Sequence, residues 1–228
     1  MKRLVSTGMF LVLLVMGSAH AQNTAKLPRD VDPESKNRLP LIQPKDMDEA
    51  TRKVFLELAG NNTERPLSGF LGLALYNPSF AQALRTLNRS VVRDGTTGSR
   101  AYEAAVLTAT RESQFSESEW GGHSASALRA GLAQSTIDVI RDGRELTGVP
   151  EEDAIVIRFG RELFRDKRVS PETFAKVKTK FGPRGTVELI GIMGDYSLVA
   201  MLLKAVDQQL PDDRVLPALN TSNKGGRP

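Results

Sequence analysis

From Asp46 to Leu210 the apolar residues recur three and four positions apart, and no stretch shows the alternation bounded by hairpin turns that a half-buried strand would show. A chain patterned in this way buries its apolar surface by packing helix on helix. The sequence therefore predicts an all-α protein, a single domain of about eight to ten helices joined by short loops.

Start and stop residues punctuate these helices. Asp46, with Glu49 at capping-box spacing, opens the first; Met47, Ala50, Val54 and Leu58 form its apolar stripe, and Gly60 stops it. Leu67 to Tyr76 is apolar on all sides, as a buried helix would be. Asn77-Pro78 opens the next, through Phe80, Leu84, Leu87 and Val91 to Asp94-Gly95. Ser99 caps a helix that runs through Tyr102, Glu103, Val106 and Leu107 towards Arg111. A further helix carries Glu119, Trp120 and His123 and stops at Gly131. Ser135, Pro150 and Ser170-Pro171 open three more; the first stops at Gly143 and the last at Gly182-Pro183. A long apolar segment then runs from Thr186 to Leu210.

The ends have a different character. Lys2 and Arg3 precede an unbroken apolar run from Met9 to Met16, and Ala19-His20-Ala21 places small residues where a signal peptidase needs them. Residues 1–21 are expected to be a secretory signal peptide cleaved after Ala21, which makes the protein periplasmic or secreted. Residues 22–44 hold Pro28, Pro33, Pro40 and Pro44 and predict an extended N-terminal arm. Residues 45–210 form the helical domain, and residues 211–228, rich in Pro, Asp, Asn and Gly, predict a flexible tail.

Composition closes off several functions. The 228 residues include no Cys, which excludes disulfides, thiolate metal sites and Cys nucleophiles. Of 31 basic residues, Lys2 and Arg3 leave with the signal peptide, and the remaining 29 face 27 acidic ones. That balance, with no basic patch interleaved with aromatics, speaks against nucleic acid and against an anionic membrane once the signal is removed. There is no Gly-rich phosphate loop, no Gly-x-Ser-x-Gly elbow and no His-Glu-x-x-His. A single His beyond residue 21 makes a transition-metal site an unfavourable reading, and no metal or other cofactor is expected.

One stretch is dense in chemistry. Arg111 to His123 (RESQFSESEWGGH) holds the only Trp and the only His of the mature chain. Glu119 and His123 are four apart and share a helix face. A carboxylate beside an imidazole is a proton-transfer pair, since the imidazole titrates near neutrality and the acid orients it. The same spacing is also common on solvated helix faces. Gly121-Gly122 costs this helix roughly 1 kcal/mol per residue relative to Ala, which suggests close backbone packing or room for a ligand.

Three pieces together, Glu103-Ala-Ala-Val-Leu-Thr-Ala-Thr-Arg111, Glu119-Trp120-Gly-Gly-His123 and Ala127-Leu128-Arg129-Ala130-Gly131-Leu132, resemble the carboxymuconolactone decarboxylase family. Val169 to Phe174, Phe181-Gly182, Val187-Glu188-Leu189 and Tyr196 extend the likeness, which runs from about Leu39 to Leu210. The resemblance implies an alkyl hydroperoxidase D-like helical fold and a homo-oligomer, trimeric or hexameric, with sites near subunit contacts. One branch of that superfamily has Cys-x-x-Cys seven and four residues before the His. Here those positions are Ser116 and Glu119, so thiol-dependent peroxidase chemistry is closed to this chain. The loop between Arg111 and Glu119 is one residue longer than in typical decarboxylases. An export signal is unusual for a family whose namesake acts on a cytoplasmic intermediate, and it points to another small-molecule substrate.

Two readings follow. In the first, the protein is a lyase or isomerase that moves protons on a small lactone or carboxylic acid. His123 is its general acid/base, oriented by Glu119, with Glu103 as a second carboxylate. Gln114 or Ser116 holds a substrate oxygen, and Trp120 and Phe115 wall the pocket. In the second, the fold is kept without catalysis, and Glu119 and His123 make a structural contact in a ligand-binding or scaffold protein.

Overall fold

A computed structural model describes residues 27–92, 94–113 and 117–210. The segment 1–21 expected to be a signal peptide, the start of the arm and the segment 211–228 expected to be a tail lie outside the described residues, as do Gln114, Phe115 and Ser116. Among the described residues the chain is all-helical: α1 Glu49–Ala59, α2 Gly69–Ala74, α3 Pro78–Val92, α4 Ser99–Ser113, α5 Glu117–Arg129, α6 Gln134–Asp142, α7 Glu151–Arg161 and α8 Pro171–Ala205.

Helix α4 is the axis of the molecule, packed against α5, α6, α7 and α8. Eight consecutive residues of it, Glu103 to Thr110, are buried, so it is covered on every side. The small side chains Ala104, Ala105, Thr108 and Ala109 allow this close surrounding. Where α7 crosses, Gly160 lies so near Thr108 that a Cβ on it would come within 2.6 Å of the Thr108 methyl. Leu107, Val156, Ile157, Phe159, Ile192 and Met193 fill the main core around this axis. A second core joins α1 to α3 through Val54, Phe55, Leu75 and Leu84, and Leu73, Val199 and Leu203 tie α2 to the end of α8.

Most helix ends sit where the sequence puts them. Asn77 Oδ1 accepts from the Phe80 amide, Ser170 Oγ accepts from the Thr173 amide, and Gly60 and Gly143 close α1 and α6 at positive φ. Three details differ. Helix α1 is capped by Asp48, whose carboxylate accepts from the Thr51 amide at 2.7 Å; Asp46 instead ends a short 3-10 turn begun by Pro44. Helix α6 starts after Ala133, without a side-chain cap. The apolar segment from Thr186 is the second half of α8, continuous with the helix from Pro171 except at Gly182, whose φ of 66° and ψ of 177° break it before Pro183. Helix α8 is long and apolar enough to cross a membrane, but 56% of its most apolar window is buried inside the molecule, as for the central helix of a core.

The arm is not extended where it is described. The Asp32 carboxylate accepts from the amides of Glu34 and Ser35 and closes a turn. That turn is fastened to the end of α8: the Arg38 amide donates to the Val206 carbonyl, and the Gln209 amide to the Lys36 carbonyl. A short polar side chain that satisfies its own backbone gives the segment a fold that proline content alone does not reveal.

Candidate active site

Three helices converge on His123. Helix α5 carries His123 with Glu119 one turn before it, α4 brings Tyr102 and Glu103, and the second half of α8 brings Asp195 and Tyr196. His123 Nδ1 lies 2.8 Å from Glu103 Oε2, a hydrogen bond in which the ring donates to the carboxylate when Nδ1 carries the proton. His123 Nε2 is 3.8 Å from Glu119 Oε2, within ion-pair reach but too long for a hydrogen bond. The carboxylate that orients the ring is thus Glu103, twenty residues back, and not the helical neighbour Glu119. The reason is geometric: α4 lies against the face of α5 to which Nδ1 points, and this leaves Nε2 to Glu119.

Side-chain exposures of 20% for His123, 11% for Glu103 and 14% for Glu119 keep the group sheltered yet reachable from solvent. Burial pushes the Glu119 carboxyl above the ordinary carboxylate range; His123 opposes the shift and Asp195 adds to it. Burial likewise raises Asp195, against a 2.9 Å hydrogen bond from the Asn88 side-chain amide. Its other oxygen, Oδ1, is buried without a hydrogen-bond partner.

The two tyrosines complete the cluster. The Tyr196 ring stands edge-on to the His123 ring, 4.7 Å between centroids, and the Tyr102 ring lies 6.4 Å away, tilted. Their hydroxyls form a short hydrogen bond with each other. Burial raises the pKa of both phenols, and each is raised further by the acids around it, so both stay protonated at neutral pH.

Of the residues read from sequence, the fold brings Glu103, Glu119 and His123 together. Trp120 is buried in the main core beside them, and Gln114, Phe115 and Ser116 fall outside the described residues. A side chain on Gly122 would meet nothing within 4 Å, so this glycine leaves open space beside α5 and is not there for close packing. Tyr102, Asp195 and the pairing of Tyr102 with Tyr196 are additions, and no spacing in the chain signals a contact across 94 residues. Two hollows, of 630 Å³ between α3 and α8 and 510 Å³ beside Arg158, Arg161 and Arg165, are lined by residues outside the His123 cluster. Among the described residues, no three His, Asp or Glu side chains are placed to hold a metal ion.

The arrangement is suited to proton transfer. A neutral imidazole fixed through Nδ1 offers Nε2 as a base, and the nearby phenols offer hydrogen bonds to an oxygen that gains charge. The chain matches no protein-family model and no curated protein.

Proposed function

We propose that this protein is an exported, cofactor-independent lyase or isomerase of the carboxymuconolactone decarboxylase-like kind, acting by general acid/base chemistry on a small lactone or carboxylic acid. The observation that carries this is the 2.8 Å hydrogen bond from His123 Nδ1 to Glu103. It orients the ring and leaves Nε2 for a substrate proton. Glu119, held towards its protonated form by burial, is placed to exchange a proton on the Nε2 side. The alkyl hydroperoxidase D-like architecture belongs to the same proposal, supported by the all-helical fold and by the Glu103–His123 pairing.

We further propose export after cleavage at Ala21 and assembly into a trimer or hexamer. Exposed apolar side chains on α8, Val187 at 68%, Ile190 at 44% and Met201 at 50%, support assembly, since water-facing apolar surface of this kind is commonly covered by a partner.

The same hydrogen bond ties α5 to α4 and so supports a second reading, in which the cluster is structural and the protein binds without turnover. A melting-shift screen with small lactones and carboxylic acids, run on wild type and His123→Ala, tests the first. A ligand that raises the melting temperature of wild type and not of the variant supports it. An identical response from both proteins favours the second.

A further inference from the structure

The second half of α8 has two faces. Its inner face is buried and carries Asp195 and Tyr196 to the His123 cluster. From Gly185 to Leu203 its only charged residues are Glu188 and Asp195, and both are buried. The outer face is therefore uncharged over nineteen residues, a length of about 28 Å at the helical rise.

The residues of that face are ordered symmetrically about Gly194. Val187 and Met201 stand seven residues to either side, Ile190 and Leu198 four, and Gly191 and Ser197 three. On a helix, seven residues bring a side chain back to within about 20° of Gly194 and four to within about 40°, so these positions form one stripe. Its crest is open: Val187 is 68% exposed and Met201 50%, with Ile190 beside them at 44%. A Cβ on Gly194 would meet nothing within 4 Å, so no described residue covers the centre.

Such a stripe is self-complementary. When a second copy of α8 lies antiparallel on the first and crosses it at Gly194, each residue meets the one equally far beyond the crossing, as a two-fold axis requires. Val187 then meets the partner's Met201, and Ile190 the partner's Leu198, while Gly191 and Gly194 let the backbones approach. The relief fits as well. At the Val187 end lies the 630 Å³ hollow between α3 and α8, lined by Leu87, Val91, Pro183, Val187 and Gly191 among others. The antiparallel pairing carries the partner's Met201 to that hollow, and an unbranched, flexible thioether suits an irregular one. Arg184 and Lys204 bound the stripe, and the Arg184 guanidinium is already paired with Glu188 at 2.8 Å. A lipid surface or a foreign peptide would use an apolar stripe, but only a second copy makes use of its symmetry.

We infer that a second copy of this chain packs on α8, antiparallel and about a two-fold axis through Gly194, each copy's Met201 seated in the α3–α8 hollow of the other. This rests on the assembly proposed above and deepens it: a two-fold pair builds a hexamer and not a lone trimer, whose contacts are head to tail. Tyr196, edge-on to His123, is two residues from the axis, so the two His123 clusters lie back to back across the paired helices.

The chain has no Cys, so introduced thiols report on this contact alone. The full chain is prepared as wild type, Gly194→Cys, Val187→Cys, Met201→Cys, the last two co-expressed, and Val187→Glu. Light scattering reads the mass, and non-reducing gels read disulfides formed under mild oxidation. The expected wild type has an even number of subunits. Gly194→Cys cross-links with itself, because a residue on a two-fold axis meets its own copy. Val187→Cys and Met201→Cys cross-link when co-expressed and not singly, since like positions are about 21 Å apart along the helices. Val187→Glu, at an exposed position, keeps its melting curve and at least halves the mass. An assembly of any size without this cross-linking pattern overturns the interface and leaves assembly itself standing. A monomer overturns both. In that monomer, a Gly194→Cys thiol protected from maleimide assigns the face to a segment of the chain itself, and one protected only by phosphatidylcholine vesicles assigns it to lipid.

Discussion

Glu103 and His123 are twenty residues apart in the chain and hydrogen-bonded at 2.8 Å in the fold, across the packed faces of α4 and α5. The bond sets which ring nitrogen carries the proton. With Nδ1–H donated to Glu103, the neutral ring exposes Nε2 as its basic atom. Glu103→Gln replaces an acceptor-only group by one that also donates. Nitrogen NMR of the His123 imidazole is expected to show the Nδ1–H tautomer in the wild type and a mixed population in the variant. With a substrate in hand, kcat is expected to fall by about 10²-fold, from loss of orientation. An unchanged tautomer would mean that something other than Glu103 holds the ring.

Glu119 gives the cluster a pH signature. Burial raises its folded pKa above the unfolded value, so folding favours the protonated form. Its stabilising contribution is whole below the ordinary carboxylate pKa and is lost as pH rises through the raised value. Glu119→Gln is neutral throughout. Melting curves are expected to show the two proteins alike in acid, with the wild type losing ground to the variant as pH rises. Parallel curves at all pH would mean that Glu119 is not desolvated.

Arg100 and Asp153 form an asymmetric pair. Two hydrogen bonds of 2.8 and 2.9 Å join them, but the Asp153 side chain is 2% exposed and Arg100 34%. Arg100→Ala abandons a buried carboxylate and is expected to cost about 3 kcal/mol. Asp153→Ala leaves a guanidinium that reaches water and still has Glu152 3.1 Å away, so its cost is expected to be smaller. Denaturant midpoints of the two variants check the order, and the reverse order would contradict it.

Two glycines predict opposite signs. Gly160→Ala drives a methyl to within 2.6 Å of Thr108 and 3.0 Å of the Met193 methyl, at the crossing of α4, α7 and α8. Overpacking there is expected to cost about 1 to 3 kcal/mol. Gly122→Ala fills open space on an exposed helical position and is expected to stabilise by about 1 kcal/mol. Thermal melts of the two proteins decide both signs.

Local chemistry is what the sequence made legible. Asn77, Ser170, Gly60 and Gly143 bound helices because caps and positive φ depend on near neighbours. Glu119 and His123 share a face because a helix repeats every 3.6 residues. Which acid holds the ring, and where the Tyr196 ring stands, depends instead on how α4, α5 and α8 pack, and no spacing records that. Glu103 entered as a candidate through its place in a family-like motif, whereas Tyr102 read only as part of an apolar stripe. The turn at Asp32 was hidden behind the prolines around it, although its side-chain bonds are local.

The most direct measurement is the rate of proton transfer to a small lactone catalysed by wild type and by His123→Ala, with melting curves run on the same preparations. A folded variant whose rate drops by about 10²- to 10⁴-fold or more is the predicted result. A folded variant as active as the wild type would contradict the account, because the account places the base at His123 Nε2.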